Sequence, residues 1–338
     1  MYEIDFLPVG DEGQSGDTIA VRFSAMADPT YRTVLIDAGF QDDGPALVDH
    51  VDTWYGSRRI DLAIVTHPDG DHIGGMGTVL EELDVGTLCI HNVGDRGGAS
   101  LPAADAVNEL IKIAEREGTN VHEPFTGDSA FNGALRFLGP DEQWYEDLVK
   151  EQVSEAPARA LRKGGTPVRD ALRAAGQRFL TYLPREVPFD DQGGTNPRNN
   201  TSVVTLLEIE GDRLLFTGDA GVPALERAWT WLTSVTGDST PPSFIQIPHA
   251  GSRHNASSDI LDLILGSQGQ QASRTAYLSV ASKAKRHPSP RVVNAYIRRG
   301  CSVYETRGGT KWHHSGGAPA RGWSRATPLE PMDESGED

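Results

Sequence analysis

Apolar runs of strand length recur along the chain and are separated by stretches with helical periodicity. Two runs near the amino terminus, at 4–10 and 16–21, enclose a Gly-rich turn and predict a hairpin. The other predicted strands are 34–39, 60–65, 214–220, 277–280 and 301–304. The predicted helices are 46–55, 103–117, 168–182, 222–235, 258–265 and 290–299. Paired strands followed by strand–helix alternation indicate an α/β fold in which helices cover mixed sheets.

The 338 residues suit one domain, predicted over 1–320, with an insertion at about 141–198. The insertion has the pattern of two or three helices followed by a Pro- and Gly-rich loop, and we expect it to be a lid or a partner surface. The tail at 328–338 carries five acidic residues, so we expect it to be disordered when alone and to be a second candidate surface for a protein partner.

The net charge of −17 argues against broad nonspecific binding of nucleic acid, which depends on cations that neutralise phosphates. The cations are nevertheless concentrated in two segments, 159–185 and 263–304, and the second contains no acidic residue. The candidate phosphate contacts in these segments are Lys285, Arg286, Arg291, Arg169 and Arg173. Two interpretations remain open: an anionic substrate between two basic segments, or solvated charged faces.

No apolar segment approaches the length of a membrane span, and the first residues lack a signal-peptide pattern. We therefore expect a cytoplasmic protein without a membrane partner. Cys89 and Cys301 both lie in apolar runs, which indicates small buried side chains and no disulfide framework.

Residues 66–75 read Thr-His-Pro-Asp-Gly-Asp-His-Ile-Gly-Gly and hold the strongest chemical signal in the chain. They directly follow a predicted buried strand, so they form a strand-to-helix loop at a sheet edge, where ligand sites are commonly built. The four potential ligands are His67, Asp69, Asp71 and His72. Four such side chains within six residues predict a metal site.

This run resembles the His-x-His-x-Asp-His signature of the metallo-β-lactamase fold, with Asp69 in place of the second His. His-x-Asp-x-Asp-His followed by Ile-Gly-Gly is similar to the variant in the metallo-β-lactamase-like domain of ComEC-type DNA-uptake proteins. The resemblance implies an αβ/βα four-layer sandwich, to which the segment at 141–198 would be a helical insertion.

Further segments in the same order resemble other motifs of the family. Asp37 ends an apolar strand and, by resemblance, orients the metal-binding loop. Asp219 follows Thr-Gly and is implied to bridge two metals. His249 is the implied last His ligand, although Ala250 replaces the second His of the ComEC-type motif. Asn200 stands at the place of the third-motif His; it would contact a metal or its water, or simply cap a turn before a strand.

The family pattern implies two divalent ions, with His67 and Asp69 on the first and Asp71, His72 and His249 on the second. Replacing two imidazoles by oxygen donors favours Mn²⁺, with Zn²⁺ as the alternative. Asp71 is additionally a candidate catalytic base. His287, between a strand and a helix, is a candidate phosphate ligand or proton donor.

Three functional hypotheses follow, because a fold and a metal centre do not determine a substrate. The first is a phosphodiesterase or nuclease that uses a water activated by two metals. The second is a small-molecule hydrolase for a lactone, lactam or thioester. The third is a degenerate metal-binding subunit of a larger assembly. A narrow apolar pocket beside the metals would favour the second hypothesis.

Overall fold

The computed structural model of the chain describes all residues except 11–12, 26–27, 163–182, 184–185, 187–188, 190–193, 270–271 and 336–338. Its strands are β1 Tyr2–Phe6, β2 Thr18–Ala25, β3 Asp28–Ala38, β4 Arg59–Ile64, β5 Asp84–Cys89, β6 Asn120–His122, β7 Ser129–Ala130, β8 Leu135–Gly139, β9 Val204–Ile209, β10 Asp212–Phe216, β11 Phe244–Gln246, β12 Arg274–Leu278, β13 Cys301–Glu305 and β14 Lys311–His314. Its helices are α1 Gly44–His50, α2 Gly70–Ile73, α3 Met76–Glu82, α4 Ala103–Arg116, α5 Glu142–Arg162, α6 Pro197–Asn200, α7 Val222–Thr236, α8 Ser258–Leu265 and α9 Pro290–Arg298.

The strands form two mixed seven-stranded sheets. One has the order β14-β1-β2-β3-β4-β5-β6 and the other β13-β12-β11-β10-β9-β8-β7. Apolar side chains from both sheets, such as Phe6, Ile36, Phe216 and Phe244, pack together in one buried cluster. Two further clusters join each sheet to its own helices. Helix, sheet, sheet and helix are therefore stacked as the predicted αβ/βα four-layer sandwich.

The strand-to-helix loop after β4 is held close to the first sheet by glycines. A Cβ at Gly75 would lie 2.3 Å from the carbonyl oxygen of Ala38, and one at Gly16 would lie 1.9 Å from that of Asp71. Any side chain at these two positions would push the loop away from the first sheet, so packing requires Gly at both Gly16 and Gly75.

The segment predicted as the insertion begins with α5. The predicted helix at 168–182 lies outside the described residues. The described part of the chain beyond α5 contacts the second helical layer, where the buried Glu186 pairs with Arg299 at 2.8 Å. It then enters α6 beside the metal-binding loop.

In the structure the acidic tail contacts β13 and α9 within residues 328–335, and its disorder when alone stays a prediction. Met332 is fully buried, and its backbone exchanges two hydrogen bonds with the side chain of Asn294. Glu334 pairs with Arg298 at 2.9 Å. An acidic composition does not prevent docking here, because α9 offers both an amide and a guanidinium to the passing chain.

Among the described residues, none of the helices combines the length and apolar character required to cross a membrane.

Candidate metal centre

His67 and His72 are oriented by a carboxylate behind them. Asp37 is fully buried and accepts hydrogen bonds from the backbone N–H and the hydroxyl of Thr66, at 2.8 and 2.6 Å. Its Oδ2 lies 2.7 Å from Nδ1 of His72. The Thr66 hydroxyl lies 3.1 Å from Nδ1 of His67. Both Nδ1 atoms therefore face structural partners, which leaves both Nε2 atoms turned toward the centre of the site.

Asp219 lies between the imidazoles. Its Oδ1 is 3.6 Å from Nε2 of His72, and its Oδ2 is 3.8 Å from Nε2 of His67 and 3.5 Å from Nδ1 of His249. Asp69 completes the group, with Oδ2 at 3.7 Å from Nε2 of His67. Five of the six predicted ligands thus converge, and Asp219 presents a different oxygen to His72 than to His67.

The sixth predicted ligand, Asp71, is placed differently. Its half-buried carboxylate lines a cavity together with His249. Burial and the charges of Asp219 and Asp69 raise the pKa of Asp71, although the charge of His72 opposes this. A raised pKa in a carboxylate beside the ligands suits the predicted role as a base.

Asn199, rather than Asn200, faces the centre. The Asn199 amide donates to Asp219 Oδ2 at 3.2 Å and lies 2.8 Å from Nδ1 of His249. The Asn200 Oδ1 instead accepts the backbone N–H of Gly221 at 3.2 Å. Adjacent side chains on the single turn of α6 point in directions about 100° apart, so the two amides face different partners, and a metal or water contact of Asn200 stays a prediction.

The residues fit divalent cations. The buried Nε2 of His67 has no hydrogen-bond partner in the described structure, which is unusual for a buried ring nitrogen. Burial would lower the pKa of His72, but the carboxylates of Asp219, Asp37 and Asp17 hold it well above its ordinary value. An orphaned imidazole nitrogen inside a surplus of negative charge is the environment that a bound cation would complete.

A buried carboxylate, Asp17, supports the site from behind His72 and was not among the predicted site residues. Asp17 accepts from Gln246 Nε2 at 2.9 Å and from the Ser279 hydroxyl at 2.6 Å, and lies 3.8 Å from Nδ1 of His72. Burial and nearby carboxylates raise the pKa of Asp17 to about 6 despite the charge of His72. Gln246 also accepts from the N–H groups of Thr217 and Gly218, so it positions the Asp219 loop. The Gly16-Asp17 pair after a turn was the available sequence signal.

A cavity of about 540 Å³ opens beside the centre. Its cations are Lys283, Lys285 and Arg286, which come from one loop after β12, and Asp71 and His249 stand on its wall. This part of the basic segment therefore faces the site, and Lys283 was not among the candidate phosphate contacts.

His287 lines the same cavity, with its ring centroid 6.0 Å from that of His249. Burial, together with the charge of His249, lowers the pKa of His287 to about 4. The imidazole is consequently neutral at pH 7. A neutral imidazole can donate one hydrogen bond to a phosphate, and both predicted roles of His287, phosphate ligand and proton donor, stay predictions.

Of the remaining predicted phosphate contacts, only Arg291 belongs to the described residues, and it does not line the cavity. Arg291 is half-buried in the first turn of α9 and outside the cavity lining, and Arg169 and Arg173 lie outside the described residues. Arg299, in the same basic segment, is buried and pairs with Glu186 and Asp262. Part of the positive charge of 263–304 is therefore neutralised by carboxylates from other segments.

Comparison with known proteins gives the family and the fold. Residues 24–269 match the family described as the Metallo-beta-lactamase superfamily. Comparison with curated proteins gave no match. Among solved structures, Zn²⁺-bound PqqB from Methylobacterium extorquens is 13% identical with a TM-score of 0.46, covering 93% of this chain and 100% of that one.

Two other solved structures are similar in the same way. A mutant of the CmlA beta-hydroxylase is 12% identical with a TM-score of 0.46, covering 93% of this chain and 54% of that one. A metallo-beta-lactamase from Cronobacter sakazakii is 9% identical with a TM-score of 0.36, covering 77% and 89%.

Proposed function

The chain belongs to the metallo-beta-lactamase superfamily of metal-dependent hydrolases, and from that premise we propose that it is a phosphodiesterase, with DNA as the favoured substrate. The observation that carries the proposal is the basic cavity beside the His/Asp centre. In a chain of net charge −17, three cations on one loop beside a metal centre create a local positive potential that suits a phosphate backbone.

The chain's own residues have separable tasks in this proposal. His67, Asp69, His72, Asp219 and His249 would hold the metal ions, for which the converging distances provide the frame. Two divalent ions held there would activate a water and stabilise charge on a phosphoryl oxygen.

The cavity residues would handle the substrate. Lys285 and Arg286 would place the phosphate, and neutral His287 would donate one hydrogen bond to it. Asp71, on the wall of the cavity, would accept a proton from the attacking water.

The small-molecule alternative would be favoured by an apolar pocket beside the centre, and the described cavity is different. Its lining is mostly polar or charged, with Ala250 as its aliphatic member. A lactone or thioester with an apolar body would bury little surface there, whereas a phosphodiester would meet cations. A degenerate subunit is also disfavoured, because five predicted ligands still converge.

Two features support DNA and manganese within this proposal. The His-x-Asp-x-Asp-His-Ile-Gly-Gly run is similar to the ComEC-type variant, and ComEC-type proteins act in DNA uptake. The centre also contains two carboxylates, from Asp69 and Asp219, and such oxygen donors favour Mn²⁺ relative to a His-rich site.

The test is a hydrolysis assay with purified protein loaded with Mn²⁺ or Zn²⁺. Substrates are single- and double-stranded DNA, RNA, a cyclic dinucleotide, a lactone and a thioester. We expect Mn²⁺-dependent cleavage of DNA that Asp71→Ala reduces at least about 100-fold, since proton transfer by a positioned side chain contributes 10²- to 10⁴-fold.

Asp259→Asn, an exposed carboxylate on α8, is the matched control and should retain activity. Nuclease activity that persists undiminished in Asp71→Ala would assign the activity to another site or a contaminant. Opening of the lactone or thioester without cleavage of any phosphodiester would replace the proposal with the small-molecule hydrolase.

A further inference from the structure

Arg198 lies at the metal centre and was not among the predicted site residues. Its Nε lies 2.6 Å from Oδ1 of Asp69, while the other oxygen of that carboxylate faces Nε2 of His67 at 3.7 Å. The Arg198 side chain is 42% exposed and that of Asp69 is 16% exposed. Asp69 is thus shared between a guanidinium on its outer side and an imidazole ligand on its inner side.

The backbone under Arg198 is fixed. The side chain of Asn196 caps α6 by accepting the N–H of Asn199 at 3.0 Å, and the Thr201 hydroxyl donates to the carbonyl of Arg198 at 2.6 Å. Pro197 restricts the first position of the turn. The guanidinium therefore reaches Asp69 from an ordered turn of the backbone.

We propose that Arg198 offsets the charge of Asp69 and thereby holds down the affinity of the centre for divalent cations. The inference rests on the metal site of the proposed function. Asp69 occupies the position at which the family signature has a neutral imidazole. A carboxylate there adds one negative charge, and Arg198 adds one positive charge. Together they supply an oxygen ligand at the net charge of an imidazole.

Two effects of Arg198 on metal binding oppose each other. Its charge repels a cation bound at Asp69, and its contact restricts the rotation of the carboxylate. The backbone of Asp69 is held independently, since its carbonyl accepts the N–H groups of His72 and Ile73, both at 2.9 Å. Removing Arg198 therefore frees one side-chain rotation but removes a full charge within a few ångström of a divalent ion. The repulsion is the larger effect, about tenfold in affinity even at the dielectric constant of water.

The experiment is calorimetric titration of the purified, metal-free full chain with Mn²⁺, without any substrate. The variants are Arg198→Gln, which removes the charge and keeps hydrogen-bond donors, and Arg198→Lys, which keeps the charge. Arg325→Gln, an exposed arginine outside the centre, is the matched control. We expect Arg198→Gln to bind Mn²⁺ at least about tenfold more tightly, and Arg198→Lys and Arg325→Gln to bind within about threefold of the unaltered chain, as expected when no charge at the site changes.

Three results would overturn the inference. Equal or weaker binding by Arg198→Gln would show that Arg198 only orients Asp69 or does not act on the metal. Tightening by Arg198→Lys equal to that of Arg198→Gln would exclude charge as the cause. An unaltered chain that binds no Mn²⁺ would remove the metal site itself, whereas binding without cleavage of a phosphodiester would contradict only the proposed substrate.

Discussion

At the scale of single residues, the metal centre depends on side chains that orient the ligands and are not themselves ligands. Asp37 contacts Thr66 and His72 through both of its oxygens. Its backbone φ of 57° lies in the left-handed region, which a non-Gly residue adopts only when its surroundings require it. His249 has a φ of 50° in the opposite loop. Strain at both residues fits a site whose ligands are fixed before a metal arrives.

Asp37→Asn tests the orienting role. The amide keeps the size of the side chain but cannot accept at both oxygens, so the His72 ring loses its fixed tautomer. We expect Mn²⁺ affinity to fall 10- to 100-fold, as is typical for a partner behind a metal ligand, with little change in the fold by circular dichroism. Affinity equal to that of the unaltered chain in calorimetry would assign Asp37 to loop structure alone.

Asp69→His tests the metal preference at the same scale. The substitution restores the imidazole of the family signature, and softer nitrogen donors favour Zn²⁺ over Mn²⁺. We expect the ratio of Zn²⁺ to Mn²⁺ affinity to rise about tenfold or more, measured by competition between the two ions. Because the substitution leaves the Arg198 charge without its carboxylate, Asp69→His/Arg198→Leu is the matched variant. An unchanged ratio in both would show that Asp69 does not ligate the metal.

At the scale of elements, a buried charge network joins the two ends of the described chain. Arg321 pairs with Asp5 at 2.6 Å and Glu3 at 2.8 Å, and all three side chains are almost fully buried. Its guanidinium also lies 4.5 Å from the ring centroid of Trp312 in the edge strand β14. The segment after β14 therefore holds the first strand in place, a role that composition alone does not reveal.

Arg321→Met should be strongly destabilising. It leaves two carboxylates buried with one fewer cation, and breaking a buried pair by removing one partner costs about 3–5 kcal/mol. Urea unfolding at pH 7 measures the loss. Arg325→Met, four residues along the same segment and exposed, should change the free energy of unfolding by no more than about 0.5 kcal/mol. Similar effects of the two substitutions would contradict a stabilising role for the ion pairs of Arg321 with Asp5 and Glu3.

His91 predicts a dependence of stability on pH away from the metal centre. It follows β5, packs on Tyr145 with ring centroids 4.3 Å apart, and lies 2.7 Å from the carbonyl oxygen of Pro124. Burial lowers the pKa of His91 to about 4. The unfolded chain therefore binds a proton at higher pH than the fold does. The contribution of neutral His91 to the free energy of unfolding is complete above about pH 6.5 and is lost as the pH falls toward 4.

The expected loss is about 3 kcal/mol across that window, from the 1.4 kcal/mol that each pKa unit represents. His91→Gln keeps a hydrogen-bond donor for Pro124 but does not titrate. The free energy of unfolding of the unaltered chain, measured at several pH values, should fall more steeply below pH 6.5 than that of the variant. Parallel curves would contradict a neutral, buried His91.

At the scale of the whole molecule, the charge distribution separates structural from substrate-facing cations. Lys285 and Arg286 line the cavity, whereas Arg298 and Arg299 pair with carboxylates of the tail and the insertion. One basic segment of the sequence thus serves two purposes. Global net charge is a poor guide to the potential at the site, because ion pairs neutralise charge that lies far apart in sequence.

Lys285→Glu/Arg286→Glu should weaken binding of an oligonucleotide in a salt-dependent way. Each lost phosphate contact reduces the slope of log affinity against log salt by about one, so we expect a reduction of about two. Fluorescence anisotropy across a salt series measures it. Lys112→Glu/Lys150→Glu, with both lysines exposed on α4 and α5, makes the same change in net charge and is the control. The same loss of slope in the control would mean that the cavity does not direct binding.

The sequence by itself determined the layers and the first half of the site. Apolar runs and helical periodicity predicted α4, α7, α8 and α9 within about two residues, because amphipathic spacing reports burial directly. The spacing of His67, Asp69, Asp71 and His72 on one loop predicted a shared metal site, since these residues are neighbours along the chain; three of them converge and Asp71 lines the cavity. Cys89 and Cys301 are buried and free, as their apolar runs indicated.

Tertiary structure decided what depends on residues far apart in sequence. Asn199 rather than Asn200, Gln246 under the Asp219 loop, and Arg198 on Asp69 each depend on how one element is rotated against another. Local patterns report how much of a side chain is buried but not which distant atom it meets. The docked tail and β14 were missed for the same reason: their partners, Asn294 and β1, are supplied only by the completed fold.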